Sequence, residues 1–347
     1  MPSLCLYFHA HQSIRLRGFS LLDISKGAGY EDEPANLAEF NTLLDSRCLP
    51  LNRRLLALLL EHRGALRAGI SLSGYFLDML EKHRPAEVAS YRELARTGMV
   101  EFLGENYFRS FSFLYEEEEF ISQVKLHRKK MKSLFGVTPV TFRNTEDFYS
   151  NKLSQSIEQL GFKTLLNEAA GSHGIESGLY RPAGLRRLQL VQGGREEQPL
   201  GFAVQGTCLQ IHSIDCGALD HARIANVFRF INAALAMKSH FILPGEISDP
   251  EAPALDRPAL SPGQSLWNAN YMQRDALHAL YALSGKVRRR SKSGLLAAWR
   301  RLQLSDHFYN MRTGRHGEES NPYSSPYEAY IMYMNILADL SKSVARR

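Results

Sequence analysis

Residues 140–167 read V-T-F-R-N-T-E-D-F-Y-S-N-K-L-S-Q-S-I-E-Q-L-G-F-K-T-L-L-N. The apolar run Val140 to Thr145 reads as a strand. Lys152 to Leu160 reads as a helix, stopped by Gly161, and Phe162 to Asn167 as a second strand. A strand, a crossover helix and a strand make a βαβ unit, whose two strands run parallel. The same rhythm extends back to the N-terminus. Leu4 to Ala10, Leu66 to Leu72 and Met99 to Leu103 read as strands. Leu51 to Arg63, Tyr75 to Arg96 with a break at Pro85, and Tyr115 to Leu134 read as helices. Alternation of this kind argues for a parallel sheet, open or closed, with its chemistry where strands give way to loops.

Beyond Tyr180 the rhythm weakens. Strands are expected at Cys208 to Ile214 and Ser239 to Leu243, with a helix at Ala222 to Lys238. Asp249 to Pro262 holds four prolines and reads as a linker. From Leu266 onward the chain turns helical. The division expected is 1–260 for an α/β unit and 261–347 for a helical region. The run Glu116 to Glu119 reads as a solvated helix start, where negative charge suits the dipole. The basic tract Lys286 to Lys292 reads as a solvated connection. It lacks the interleaved aromatics of a polyanion site.

Of 347 residues, 44% are hydrophobic and 22% charged, as in ordinary globular chains. A net charge of +6 permits contact with nucleic acid or membrane but argues for neither, so no partner of either kind is expected. The four cysteines form no C-x-x-C pair, and their low density suits a reducing compartment. The N-terminus lacks a basic n-region, and no apolar run approaches membrane-spanning length. A cytoplasmic protein is expected. Its oligomeric state is not legible.

Several residues have the chemistry of a site. His9 and His11, two apart at the end of a strand, share a face and can bind a metal or a polar ligand; polar packing fits them equally well. Phe142, Asn144 and Glu146 share a face by the same rule, with Glu146 just past the apolar run. Arg143 beside it can pair with a carboxylate, and a structural salt bridge is the plainer use of a lone glutamate. G-E-N-Y-F-R-S-F, residues 104–111, offers Glu105 and Arg109 with aromatics at another strand-to-loop junction. Such rings stack on sugars but more often pack cores. Trp267, Asn268, Asp306 and His307 make a further polar and aromatic group, which helix packing and capping also explain.

Taken together, Y-F-H-A-H-Q, M-V-E-F-L-G-E-N-Y-F-R-S-F, F-R-N-T-E-D-F-Y, W-N-A-N-Y-M-Q-R-D-A-L, W-R-R-L-Q-L-S-D-H-F-Y-N-M and P-Y-S-S-P-Y-E-A-Y-I-M-Y-M-N-I-L-A-D-L resemble the motifs of glycoside hydrolase family 57, the alpha-amylase-type proteins. The resemblance implies an incomplete (β/α)7 TIM-like barrel followed by a C-terminal helical bundle. It implies a retaining mechanism on alpha-glucans or maltooligosaccharides, with no metal and no organic cofactor. Glu146 takes the nucleophile's place, and His9, His11, Glu105, Arg109, His212, Trp267, Asp306 and His307 fall at substrate-binding positions. The fourth motif departs from the pattern. In C-L-Q-I-H-S-I-D-C-G, alignment on Gly217 puts His212 where the family has its acid. Asp215 would need a bulge or a register change to serve, and Asp220 is further away still. Arg109 stands where the family usually has histidine.

Three readings follow. The first is an active retaining hydrolase or transferase with Glu146 as nucleophile and Asp215, or less favourably His212, as acid. The second is a catalytically silent relative that binds glucan or a protein. The third is a metal-dependent deacetylase using His9 and His11, for which the sequence offers no H-x-x-x-H pair.

Overall fold

The structure is a computed structural model describing residues 3–27, 29–146, 148–167, 178–185, 187–192, 202–203, 209–257, 267–289, 293–313 and 321–345. The chain forms two compact units. The first comprises Met1–Gln12, Phe40–Tyr107 and Ile121–Ser261; the second comprises Ser13–Glu39, Phe108–Phe120 and Pro262–Arg347.

The first unit is built on strands β1 (Ser3–Ala10), β2 (Ala68–Leu72), β3 (Val100–Phe102), β4 (Thr141–Asn144), β5 (Thr164–Asn167), β6 (Gly178–Pro182), β7 (Gln189–Gln192), β8 (Phe202–Ala203), β9 (Leu209–Asp215), β10 (His240–Ile242) and β11 (Ala254–Leu255). Strands β9-β1-β2-β3 run parallel as one group, and β4-β5-β7 as another. Among the described residues a single parallel bridge, Gly104 to Phe142, joins them. Its hydrogen bonds, Gly104 N–H to Thr141 O and Arg143 N–H to Gly104 O, are both 2.8 Å. Glycine is needed there because a Cβ would lie 2.7 Å from the Phe162 ring. Seven parallel strands thus follow one another as β9-β1-β2-β3-β4-β5-β7. Antiparallel β8 and β6 pair with the two end strands, and β10 lies beside the first residues of β1. Among the described residues no pairing joins the two ends, so the architecture is an incomplete (β/α)7 barrel.

Which side chains fill the barrel follows from the two-residue period. Cys5 and Tyr7 of β1, Leu209 and Ile211 of β9, Leu166 of β5 and Val191 of β7 belong to one buried cluster. Leu6 and Phe8 point the other way and are also fully buried, as expected for a strand covered on both faces. The sequence reading of strands and helices holds through this half, including the interruption at Pro85 between Gly74–His83 and Val88–Arg96.

Three expectations need correction. The proline-rich stretch is not a free linker along its described length. Its β11 pairs with β6, with Arg181 N–H to Pro253 O at 2.9 Å and Ala183 N–H to Leu255 O at 2.8 Å. Proline lacks a donor but its carbonyl still accepts. Residues 258–262 lie outside the described residues. The basic tract begins inside a helix, Ser284–Arg289, and Arg288 pairs with Glu116 and Glu118. Arg290, Ser291 and Lys292 lie outside the described residues, as does Cys208. Third, the acidic run is not uniformly solvated, because Glu119 is fully buried.

Glu119 organises the second unit. Arg300 grips it with two bonds, Nε to Oε1 at 2.8 Å and Nη2 to Oε2 at 3.1 Å. Around this pair, Trp299 Nε1 donates to Leu280 O at 2.9 Å, and Tyr115 stacks on Tyr281 at 4.5 Å. The helices Tyr271–Ala282, Ser293–Arg301, Ser305–Tyr309 and Pro326–Ala345 complete the unit. Among the described residues no helix is long and apolar enough to cross a membrane. Removing one partner of a buried ion pair leaves an uncompensated charge. Arg300→Met is therefore expected to cost about 3–5 kcal/mol in urea unfolding, and adding Glu119→Leu should restore most of it.

Candidate active site

The β1–β9 pairing sets the geometry of the barrel mouth. It runs without a bulge from Ser3 opposite Leu209 to His9 opposite Asp215. Because Leu209 and Ile211 face the interior, the alternation carries Ser213 and Asp215 to the same side. No register change is needed to bring Asp215 inward. His9 Nδ1 stands 3.7 Å from Asp215 Oδ1. The same oxygen accepts the Gly217 N–H at 2.8 Å and so caps the turn Cys216–Ala218.

His9 is also in register with Ser71 of β2. Ser71 Oγ donates to Glu105 Oε2 at 2.7 Å, and Arg143 Nη1 lies 3.7 Å from that oxygen. Glu105, Ser71 and Arg143 are all buried. Arg143 therefore pairs with Glu105. The Glu105 N–H makes a long bond, 3.5 Å, to His127 Nδ1, so the His127 proton sits on Nε2 and is donated to Leu72 O at 2.8 Å. Burial holds the His127 pKa below its ordinary value and favours this neutral form. An arc of polar groups, Asp215, His9, Ser71, Glu105 and Arg143, thus lines the inner face from β9 to β4.

Glu146 lies two residues beyond β4. Strand alternation alone would put it on the face of Phe142 and Asn144, but the strand ends at Asn144. Its place is set instead by hydrogen bonds. Asn144 Nδ2 donates to Glu146 O at 3.0 Å, and Thr145 Oγ1 donates to Glu146 Oε1 at 3.2 Å. The glutamate is only 3% exposed. Asp215 has a half-exposed side chain. The two carboxyl groups thus follow the same ends of parallel strands in different surroundings.

Other candidates fall elsewhere. His212 is on the opposite face of β9, in register with Leu6, and packs on Phe230 of the helix His221–Ala236 at 4.6 Å. Burial drops its pKa to about 4. Asp220 caps that helix, accepting the Arg223 N–H at 2.7 Å. Glu246 is held by Arg67 at 2.6 Å, just ahead of the start of β2 and so at the opposite end of the strands. His11 lies past the end of β1, so strand alternation with His9 does not orient it. Next to it, Gln12 N–H reaches Ser73 Oγ at 3.4 Å. Among the described residues no group of three or more His, Cys, Asp and Glu side chains is placed to hold a metal ion.

In the second unit, Trp267 stacks on Phe111 at 4.6 Å. His307 is buried against Tyr333 and bonds Arg301 O through Nε2 at 3.2 Å; burial takes its pKa to about 4. Asp306 opens the short helix Ser305–Tyr309. Arg109 has a backbone φ of 46°, in the left-handed region that non-glycine residues rarely enter. Its carbonyl accepts the Ser305 N–H at 3.0 Å.

The sequence matches the profile of Glycosyl hydrolase family 57 across residues 5–193, more than half of the chain. The chain belongs to glycosyl hydrolase family 57. A Methanocaldococcus jannaschii protein named "Putative alpha-amylase" is 24% identical to it, over 89% of this chain and 78% of the relative. Among solved structures, a family 57 branching enzyme from Thermococcus kodakaraensis superposes with a TM-score of 0.68 at 11% identity, covering 99% of this chain and 91% of that one. The 4-alpha-glucanotransferase from Thermococcus litoralis gives 0.58 at 13% identity. There the match covers 95% of this chain but only 55% of the larger enzyme. At these identities the two structures establish a shared fold.

The polar networks of this family 57 chain also include residues that the motifs do not single out: Ser71, His127, Asn167 and Gln192. His127 was open to detection. It falls on the apolar stripe Phe120, Val124, Met131 of the helix Glu117–Phe135, where a polar residue implies a buried partner. Asn167 and Gln192 end their strands, and only the register reveals that they meet.

The face on which His212 lies has a measurable consequence. Folded, it stays neutral down to about pH 4; unfolded, it takes up a proton below about 6.5. The protonation-linked cost of its burial is absent above pH 6.5 and grows as pH falls toward 4. Replacing it by leucine should therefore make the stability–pH curve shallower by up to about 1.4 kcal/mol per pH unit in that window, measured by urea unfolding from pH 7 to pH 4.5.

Proposed function

We propose that the chain acts on alpha-glucans such as maltooligosaccharides by retaining double displacement, with Glu146 as nucleophile and Asp215 as acid/base. The observation that carries this reading is the unbroken β1–β9 register. It brings Asp215 to the inner face at the same strand ends that Glu146 follows. The names of the similar proteins, an alpha-amylase, a branching enzyme and a glucanotransferase, agree on the substrate class.

In the first step a Glu146 oxygen bonds to the anomeric carbon as the glycosidic bond breaks. The Asp215 proton passes to the departing oxygen. In the second step Asp215, now a carboxylate, takes a proton from a water or from a sugar hydroxyl. That oxygen attacks the anomeric carbon and releases Glu146. The Thr145 hydroxyl donates to Glu146 Oε1 and leaves the other carboxylate oxygen to attack. The half-exposed Asp215 is placed to exchange protons with solvent between steps.

Incubation of the protein with maltoheptaose should release products that first appear as the α-anomer in proton NMR. Glu146→Gln should abolish turnover. Asp215→Asn should slow maltoheptaose cleavage by about 10²–10⁴-fold, yet slow α-maltosyl fluoride far less, because fluoride leaves without a proton. Equal losses on both substrates would remove Asp215 from the acid role. Glucan binding without turnover by the unaltered protein would make the chain a silent binding relative.

A further inference from the structure

We propose that Asn144 is a positioning residue, the hub of an amide relay that holds the backbone presenting Glu146; the proposal rests on the reading of Glu146 as nucleophile. Three strands end in a row of amides, Asn144 on β4, Asn167 on β5 and Gln192 on β7, paired directly in the parallel register. Asn144 Nδ2 lies 3.0 Å from Glu146 O, 2.7 Å from Phe148 O and 2.8 Å from Asn167 Oδ1. Asn167 Nδ2 in turn donates to Gln192 Oε1 at 2.7 Å. All three residues are buried.

The strand ladder exists without these side chains, since the backbones of β4, β5 and β7 pair with one another. What the relay adds lies beyond the ladder. One NH₂ group reaches two carbonyls of the chain just after β4, those of Glu146 and Phe148, and Phe148 N–H donates to Glu146 O at 2.9 Å. Asparagine suits the task because its NH₂ offers two hydrogens, which the three acceptors around it share. Aspartate has the same shape and offers none. Asn167 anchors the donor from the far side, so the amide cannot swing away without breaking a buried bond.

The test separates positioning from folding. In Asn144→Ala and Asn144→Asp, kcat on maltoheptaose should fall about 10²-fold, the scale of a misplacement near one ångström, while KM changes little. Hydrogen exchange should speed up in the peptide containing Phe148 and stay unchanged in peptides from β1 and β2. Asn167→Asp still accepts from Asn144 but no longer donates to Gln192, so it should keep most activity and the slow exchange. The proposal is overturned if both Asn144 variants keep the original kcat, if the loss appears in KM alone, or if exchange around Phe148 is unchanged. Should the unaltered protein show no turnover, the glucan-cleaving reading fails, while the exchange measurement still decides whether Asn144 holds the turn.

Discussion

The unbroken parallel pairing of β1 with β9 is the constraint on which the barrel depends. β1 is covered on both faces, so its alternation decides which side chains fill the interior and which pack under helices. Locked to it over seven residues, β9 has no freedom to choose. A slip of one residue would turn Asp215 toward the helices and His212 into the barrel. It would also drive Leu209 and Ile211 out of the interior cluster. Hydrophobic burial deep in the barrel thus fixes a polar outcome at its mouth.

Buried polar groups are tolerated there because nearly each is given a defined neighbour. Glu105 has the Ser71 hydroxyl and the Arg143 guanidinium; His127 has a donor on one nitrogen and a carbonyl on the other. Such networks cost little when satisfied and much when cut. The second unit uses the same device in a simpler form, with one buried carboxylate and one arginine fork. In both units charge is held where solvent is absent, and holding it requires side chains far apart in sequence.

The fold was largely legible because its signal is periodic and local. The βαβ reading of residues 140–167 needs only apolar runs and a stop at Gly161, and it extends to most of the first half. The strand-end position of Glu146 was legible for the same reason. Facing was not. Aligning the fourth motif on Gly217 pointed to His212, whereas the face of β9 is decided by its neighbour β1. The pleat does not decide the face of Glu146 either, because β4 stops at Asn144 and hydrogen bonds hold the residues that follow. Solvation of the acidic run was misread for a third reason. The partner that buries Glu119 lies about half a chain away, and no local pattern announces it.

The single bridge at Gly104 gives the barrel a fault line. On one side, β9, β1, β2 and β3 carry Asp215 and His9; on the other, β4, β5 and β7 carry the turn of Glu146. Each side is joined internally by several ladder pairings, whereas the seam holds one bridge among the described residues. Across the seam lie a backbone bridge, the Phe162 ring pressed against a glycine, and the Glu105–Arg143 pair. What separates the two halves of the mouth is therefore packed in the wall of the barrel, between β3 and β4.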